Sequence, residues 1–341
     1  MSKKRKHINI PVFIPHLGCP NDCVFCNQRS ISGKLKFQPD SVKMEIEEAL
    51  ATVPADADTE IAFFGGSFTG IDRQLMIYLL DLAQSYVGEG KVNSLRLSTR
   101  PDYIDDEIIG ILKRYSVKTV ELGIQSMSDS VLMQCKRGHT SEATVKACKK
   151  IKDAGFYLIG QMMIGLPGAN LESEIETASS IVSMGADGAR IYPTVVFYET
   201  ELCEMASAGA YTPLTNEDAI LRTKEVLKVF DAANVPCIRV GLCASENLSS
   251  DDAVYGGANH SAIGELAIGE LFYERMDEAF GMLNALGKLQ KLPRVAVPLG
   301  CTSKAVGQKR KNIIRLCEKY SLINVKIVEK SSVLGYNIII E

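Results

Sequence analysis

Three cysteines lie within eight residues near the N-terminus of the chain. Cys19, Cys23 and Cys26, in "CPNDCVFC", follow the spacing C-x3-C-x2-C. In a reducing compartment, clustered thiols serve as metal ligands or redox groups more often than as disulfides. The spacing leaves three chemistries open: a Cys23–Cys26 redox pair, a zinc site with His16 as the fourth ligand, and an iron–sulfur cluster with one open iron.

Glycines and polar residues follow several apolar runs further along the chain. The segment "FFGGSFTG" (63–70) places glycines where backbone could approach a ligand closely. Ser98, Arg100, Gln125, Gly165 and Tyr192 each follow or end another apolar run. Arg100 could grip a ligand carboxylate as a fork or form a structural ion pair with Asp102 or Asp106.

Strand-like and helix-like segments alternate through the first 242 residues. Strands are predicted at 9–15, 59–65, 94–99, 118–124, 156–164, 188–193 and 236–242, and helices at 41–53, 73–87, 105–115, 141–155, 171–185 and 216–233. This alternation predicts a parallel sheet covered by helices. Six or seven such units fit a full or partial (β/α) barrel. Active sites of (β/α) barrels lie at the carboxyl ends of the strands.

For two further residues, Glu121 and His139, a structural role competes with a functional one. Glu121 would lie in the barrel interior, where a carboxylate needs a partner. His139 precedes a helix whose expected cap is Thr140 or Ser141, so a capping neighbourhood is favoured over a substrate contact.

The pattern changes after residue 242. A loop rich in Gly, Ser and Asp (244–260) precedes a helical stretch at 261–287 and a β-α-β-β ending. We therefore expect two domains, 1–242 and a small α/β domain at 243–341. The loop, with Tyr255, Asn259 and His260, is expected to cover the barrel mouth, where His260 could donate a proton or contact substrate.

Composition narrows the class of protein. The chain has 341 residues, is 46% hydrophobic and carries a net charge of −3, so the surface as a whole does not favour a polyanion. We see no signal peptide and no long apolar run, which predicts a cytoplasmic protein that does not enter a membrane. The last 41 residues are basic, with eight Lys or Arg against three Glu.

The cysteine spacing, with Phe25 before the last cysteine and a strand before the first, resembles the radical S-adenosylmethionine (SAM) superfamily. The resemblance implies a partial (β/α)6 barrel, a [4Fe–4S] cluster on Cys19, Cys23 and Cys26, and SAM on the open iron. Reduction would cleave SAM to a 5′-deoxyadenosyl radical. "FFGGSFTG" resembles the Gly-Gly-Glu-type motif of the superfamily. The implied cofactor contacts are Phe25, Gly65, Gly66, Ser67, Ser98, Arg100, Gln125 and Gly165, with Tyr192 and His260 as catalytic candidates.

Four segments resemble one branch of that superfamily more closely. The segments 97–107, 120–140, 155–168 and 189–202 are similar to the catalytic subunit of Elongator, which modifies the wobble uridine of tRNA. The resemblance implies a tRNA substrate and an electron donor such as ferredoxin or flavodoxin. A porphyrin substrate and a non-enzymatic zinc-stabilised binding module are the alternatives.

Two departures limit that resemblance. The Elongator family spaces its first two cysteines more widely, and no segment here resembles an acetyl-CoA pyrophosphate loop. We therefore expect that the chain does not transfer an acetyl group by itself.

The basic C-terminal segment carries a second resemblance. "KAVGQKRKNIIRL" (304–316) resembles the Gly-x-x-Gly loop of KH modules, which clamps a nucleic-acid backbone. Gly307, Lys309, Arg310 and Lys311 would present amides and cations to phosphates, although Arg310 replaces the last glycine of the motif. The alternative is the start of a basic amphipathic helix on a capping domain.

Overall fold

A seven-stranded parallel sheet forms the larger part of the protein. The computed structural model describes residues 6–14, 17–19, 23–27, 37–54, 56–88, 92–242 and 253–341. The strands run in the order β1-β2-β3-β4-β5-β6-β8, with every neighbouring pair parallel. They are His7–Ile14 (β1), Asp58–Gly65 (β2), Ser94–Thr99 (β3), Val117–Gln125 (β4), Tyr157–Ile164 (β5), Gly188–Pro193 (β6) and Cys237–Val240 (β8).

The sheet curls into a half-barrel, so the predicted partial barrel is confirmed. The seventh strand, β8, lies within the strand predicted at 236–242 and pairs with β6. The intervening strand β7, Val195–Phe197, leaves the sheet and pairs antiparallel with β9, Val254–Gly257.

Helices cover the outer face of the sheet, and several begin at side-chain caps. Thr140 accepts a hydrogen bond from the Ala143 amide, and Asn170 and Ser173 form a reciprocal capping box. The helices are Val42–Thr52 (α1), Arg73–Gln84 (α2), Asp106–Leu112 (α3), Asp129–Gln134 (α4), Ser141–Asp153 (α5), Leu171–Ser183 (α6), Glu201–Ser207 (α7), Asn216–Ala232 (α8), Ile263–Ala285 (α9), Thr302–Val306 (α10) and Lys311–Tyr320 (α11).

The two faces of the strands differ in chemistry. Residues such as Ile61, Val120 and Ile191 are fully buried against the helices. Their strand neighbours point to the opposite face, because side chains alternate along a strand. That inner face carries charged and polar residues joined to one another by hydrogen bonds: Glu60, Arg96, Glu121, Gln161 and Arg190.

The C-terminal part of the chain has its own small sheet, ordered β11-β10-β12. Its strands are Arg294–Val297 (β10), Lys326–Glu329 (β11) and Ile339–Ile340 (β12). Helix α9 links this part to the barrel, since Leu271 packs in the barrel core and Phe272 packs in the second core. Helix α9 is thus shared by the two cores. The domain boundary predicted at 242/243 precedes this helix and stays a prediction.

The ending predicted as β-α-β-β contains two helices before its second strand. Gly307, with φ +76, ends α10, and a 3-10 turn at Gln308–Arg310 leads into α11. Several predicted bounds also shift; the helix predicted at 73–87, for example, ends at Gln84. None of the helices described is long and apolar enough to cross a membrane.

Candidate active site

A cavity of about 160 Å³ lies at the carboxyl ends of strands β1 to β5. Residues from five strand ends or the loops after them surround it, as expected for a (β/α) barrel. The lining consists of Cys19, Cys23, Phe25, Cys26, Gly65, Gly66, Ser98, Thr99, Arg100, Gly123, Gln125, Arg137 and Gln161. The structure thus brings together all three predicted thiols and six of the eight predicted cofactor contacts.

The two glycines at the end of β2 hold the cysteine loop against the sheet. The Gly66 amide donates to the Ile14 carbonyl at 2.8 Å. A Cβ on Gly66 would lie only 2.0 Å from the Leu17 oxygen, and Gly65 has φ +108. A larger residue at either position would push the loop that carries Cys19 away from the strand ends.

The three thiols share the cavity in different surroundings. Cys23 is buried, and Arg137 Nη1 lies 3.5 Å from its sulfur. Burial raises the pKa of the Cys19 thiol, while the guanidinium groups of Arg137 and Arg100 oppose that rise. Among the described residues, no three His, Cys, Asp or Glu side chains already lie at metal-ligand spacing. The thiols therefore line one cavity without forming a closed metal site.

Arg100 forms the predicted ion pair with Asp102 and still reaches the cavity. Its Nε and Nη2 donate to the two Asp102 carboxylate oxygens, each at 2.9 Å, and Nη2 also donates to the Arg137 carbonyl. Burial alone would raise the pKa of Asp102, but the bonds and charge of Arg100 lower it. The third nitrogen, Nη1, is buried without a hydrogen-bond partner among the residues described. Asp106, the other expected partner, pairs instead with Lys150.

Gln125 supplies an acceptor to the same cavity. Its Oε1 is buried and accepts no hydrogen bond from the described part of the chain. Its backbone has φ 68, a left-handed conformation that is costly for a residue other than glycine and that occurs often at functional sites. One orphaned donor, on Arg100, and one orphaned acceptor, on Gln125, therefore line a cavity that also holds three thiols. This donor set fits a thiolate-bound cluster next to an amino-acid or nucleoside ligand.

Two of the eight predicted cofactor contacts, Ser67 and Gly165, lie outside the cavity lining. Ser67 Oγ bonds Thr99 Oγ1 at 2.8 Å and accepts from the Arg100 amide. Gly165 donates its amide to Glu174 at 2.7 Å and accepts from the Tyr211 hydroxyl at 2.6 Å. The structure gives both residues bonds within the protein, and their contact with a cofactor stays a prediction.

The two predicted catalytic residues are also engaged within the protein. Tyr192 Oη lies 3.5 Å from Arg190 Nη1, and burial raises the pKa of the Tyr192 phenol. His260 accepts a hydrogen bond from the Ala262 amide through Nδ1, at 3.1 Å, just before α9 begins. Neither residue lines the cavity, so their catalytic roles stay predictions.

Sequence reasoning missed four residues of the cavity wall, Thr99, Gly123, Arg137 and Gln161. Gln161 Nε2 donates to Glu121 Oε2 at 2.7 Å. Its position as the one polar side chain between apolar residues of the strand "YLIGQMMI" could have indicated that Gln161 faces the cavity. Arg137 donates to the Gly123 carbonyl at 2.8 Å as well as contacting Cys23. It lies in a loop after α4, where no strand pattern points to the cavity.

His139 lies behind Arg137, in a structural position. Thr140 caps α5, and the His139 ring nitrogen Nδ1 lies 3.3 Å from the Thr140 carbonyl oxygen. Burial, with the positive charge of Arg137, lowers the pKa of His139 to about 4. The imidazole is therefore neutral at neutral pH.

The four predicted RNA contacts lie together but away from this cavity. Gly307, Lys309 and Arg310 lie in the turn between α10 and α11, and Lys311 begins α11. All four line a second, larger cleft.

Comparison with known proteins identifies the class. The family model of the radical SAM superfamily matches residues 13–181, and the Radical_SAM C-terminal domain matches residues 186–273. The chain belongs to the radical SAM superfamily and is an enzyme of that class. The alternative of a non-enzymatic zinc-stabilised module is therefore wrong, and its fourth ligand, His16, lies outside the described residues.

Within the superfamily, the chain resembles the Elongator branch. It is 36% identical to a tRNA uridine(34) acetyltransferase of Methanocaldococcus jannaschii over 39% of this chain and 25% of that protein. It is 31% identical to an uncharacterized protein of the same organism over 64% of this chain and 70% of that one. The chain thus spans about a quarter of the length of its acetyltransferase relative.

A solved structure shows the same fold. The archaeal Methanocaldococcus infernus Elp3 with an N-terminal deletion aligns with a TM-score of 0.59 at 23% identity. The alignment covers 81% of this chain and 64% of that one.

Proposed function

We propose that this radical SAM enzyme modifies a base of tRNA. The observation that carries the proposal is the convergence on one cavity of three thiols, an Arg100 nitrogen and a Gln125 oxygen, the last two without a hydrogen-bond partner among the residues that the structure describes. The similarity to tRNA uridine(34) acetyltransferases supports a tRNA substrate.

Cys19, Cys23 and Cys26 would hold the [4Fe–4S] cluster as thiolates, and SAM would bind the iron that has no cysteine ligand. Bound together, these cofactors would supply 5′-deoxyadenosyl radical chemistry for hydrogen abstraction.

The residues of this chain would bind and orient SAM. Arg100 Nη1 would donate to the methionine carboxylate. Carbonyls of Gly65 and Gly66 would accept from the ammonium group, and Gln125 would contact the ribose or carboxylate. Phe25, between two of the cysteines, would help to exclude water from the cluster.

We do not propose which chemical group the enzyme adds to the base. The match covers only a quarter of the acetyltransferase, so acetyl transfer forms no part of the proposal. A small electron carrier such as ferredoxin or flavodoxin would supply the reducing electron.

The test is anaerobic. The protein is reconstituted with iron and sulfide, reduced with dithionite and given SAM, and 5′-deoxyadenosine is measured with and without bulk tRNA. We expect product in both arms and more with tRNA. An intact four-iron cluster that yields no product in either arm would contradict the radical chemistry, and stimulation by a porphyrin instead of tRNA would contradict the RNA substrate.

Cysteine variants provide the matched control. Replacing Cys19, Cys23 and Cys26 by Ala should abolish the brown cluster absorbance and all 5′-deoxyadenosine, because three ligands are lost. Cys317→Ala, in α11 and outside the cavity, should keep both. A full cluster in the triple variant would overturn the ligand assignment.

A further inference from the structure

A second concavity lies where barrel helices meet the C-terminal domain. It has a volume of about 1120 Å³. One wall comes from the N-terminal parts of α8 and α9, and the other comes from residues 303–315 around the Gln308–Arg310 turn. It shares no lining residue with the cysteine cavity, so the two are separate sites.

The wall formed by residues 303–315 carries five cations, and three of them have no carboxylate partner in the described ranges of the chain. Arg315 is held by Glu270, with two contacts of 2.8 Å, and Lys311 lies 3.5 Å from the same carboxylate. In the part of the chain that is described, Lys304 and Lys309 form no ion pair.

The third of these cations, Arg310, donates to the neutral amide oxygen of Asn324 at 3.0 Å. The opposite wall carries three acidic residues, Glu217, Glu265 and Glu270, of which Glu270 already pairs with Lys311 and Arg315. The cleft therefore has a basic side and an acidic side. A polyanion would lie along the basic side.

The backbone of the basic wall is anchored to the neighbouring helices. Asn312, with 2% of its surface exposed, donates to the carbonyls of Gly269 in α9 and Ala305 in α10. Lys309 and Arg310 both have positive φ, 50 and 61, at a cost of about 1–2 kcal/mol per residue. Surrounding contacts must offset this strain, so the backbone that carries the two cations is held in one conformation before any ligand binds.

The cleft opens at the same end of the barrel as the cysteine cavity. A Cβ on Gly264, in the first turn of α9, would lie 2.8 Å from the Val240 side chain at the carboxyl end of β8. Leu214, just before α8, packs where Gly165 follows β5. Both helices therefore start at the carboxyl ends of the strands. A polymer bound along the cleft would therefore lie at the end of the barrel where the cysteine cavity opens.

We propose that this cleft binds the sugar–phosphate backbone of the RNA substrate at a distance from the reacting base. Lys304, Lys309 and Arg310 contact phosphates, which supply most of the sequence-independent affinity for RNA. Leu221 and Ile314, 49% and 48% exposed, give the same cleft an apolar surface for sugar or base faces. This inference rests on the proposed function and adds the site that anchors its substrate.

The experiment measures the binding of a labelled tRNA transcript by fluorescence anisotropy over a series of KCl concentrations. A triple variant, Lys304→Gln, Lys309→Gln and Arg310→Gln, should bind about 10- to 100-fold more weakly, and its salt slope should fall by about 2. The matched control replaces Lys43, Lys146 and Lys149 by Gln. These lysines are exposed and paired within their own helices, so the control loses the same charge elsewhere and should bind like wild type.

The outcomes separate the two proposals. Equal losses in the triple variant and the control would overturn the cleft while leaving the tRNA substrate intact. Wild type that binds no tRNA would overturn the proposed function, and the cleft with it. Displacement of tRNA by poly-L-glutamate at equal charge concentration would overturn the RNA assignment in favour of an acidic peptide. Lys309→Gln alone, at an exposed turn, repeats the test if the triple variant unfolds.

Discussion

The barrel interior and the C-terminal cleft differ in whether their charged side chains are paired. Inside the barrel, Glu60 and Glu121 accept from Arg96 at 2.7–2.8 Å, and Glu121 also accepts from Arg190 at 2.7 Å. At the cleft, Lys304 and Lys309 have no such partner among the residues described. The interior charges neutralise one another, whereas these cleft cations remain available to an external anion.

The difference follows from solvent access. A buried charge without a partner costs several kcal/mol, so the interior is stable only when its charges are paired. An exposed lysine is hydrated and needs no partner. The paired network also orients the cavity wall, since Glu121 fixes the amide of Gln161. Interior charge therefore shapes the site, and cleft charge is suited to recruiting a substrate.

Removing one interior carboxylate should have the largest effect on stability. Glu121→Gln would leave Arg96 and Arg190 without their shared anion, so we expect the free energy of unfolding to fall by about 3–5 kcal/mol. Urea denaturation measures the loss. Glu201→Gln, which breaks the exposed Lys136 pair, is the control and should cost at most about 1 kcal/mol. Similar losses for the two variants would remove the distinction between interior and surface charge.

A pH titration should show a smaller effect at His139. Its pKa is about 4 in the folded protein and about 6.5 when unfolded. The unfolded chain therefore binds the proton more tightly, and stability is lost as the pH falls from about 6.5 to about 4. Between pH 7 and pH 5, His139 should account for about 2 kcal/mol of the loss.

His139→Gln isolates that contribution, because glutamine does not titrate. The variant should lose about 2 kcal/mol less than wild type over the same pH interval, measured by urea denaturation at both pH values. Parallel losses in the two proteins would show that His139 is solvated in solution.

The smallest expected effect is on the free energy of unfolding of Arg310 variants, which distinguish backbone strain from side-chain charge at the cleft. Arg310 has φ 61, so Arg310→Gly should relieve strain and raise the free energy of unfolding by up to about 1 kcal/mol. The same change should weaken tRNA binding by several-fold through the lost cation. Arg310→Ala loses the charge and keeps the strain, so its stability should not rise. A gain in both variants would assign the effect to the arginine side chain.

Local patterns in the sequence predicted much of this protein. The alternation of strand-like and helix-like segments predicted the parallel half-barrel, because periodicity and cap residues act over a few neighbours. The cysteine spacing and the Gly65–Gly66 pair pointed to residues that do line one cavity. Glu121 was expected to need an interior partner, and it has three, Arg96, Gln161 and Arg190.

Other features depended on contacts between distant segments. Arg137 reaches Cys23 across 114 residues of sequence, and no local pattern reports such a pairing. The hydrogen bonds of Gly165 with Glu174 and Tyr211 could likewise not be predicted from the local sequence.

The sequence by itself determined the class of chemistry, because thiol spacing and strand–helix alternation are local properties of the chain. Only the tertiary structure decided which polar atoms are left without partners at the cavity and which cations are left unpaired at the cleft. Hydrogen-bond and charge satisfaction depends on every group that folding brings within a few ångströms, and those groups come from all along the chain.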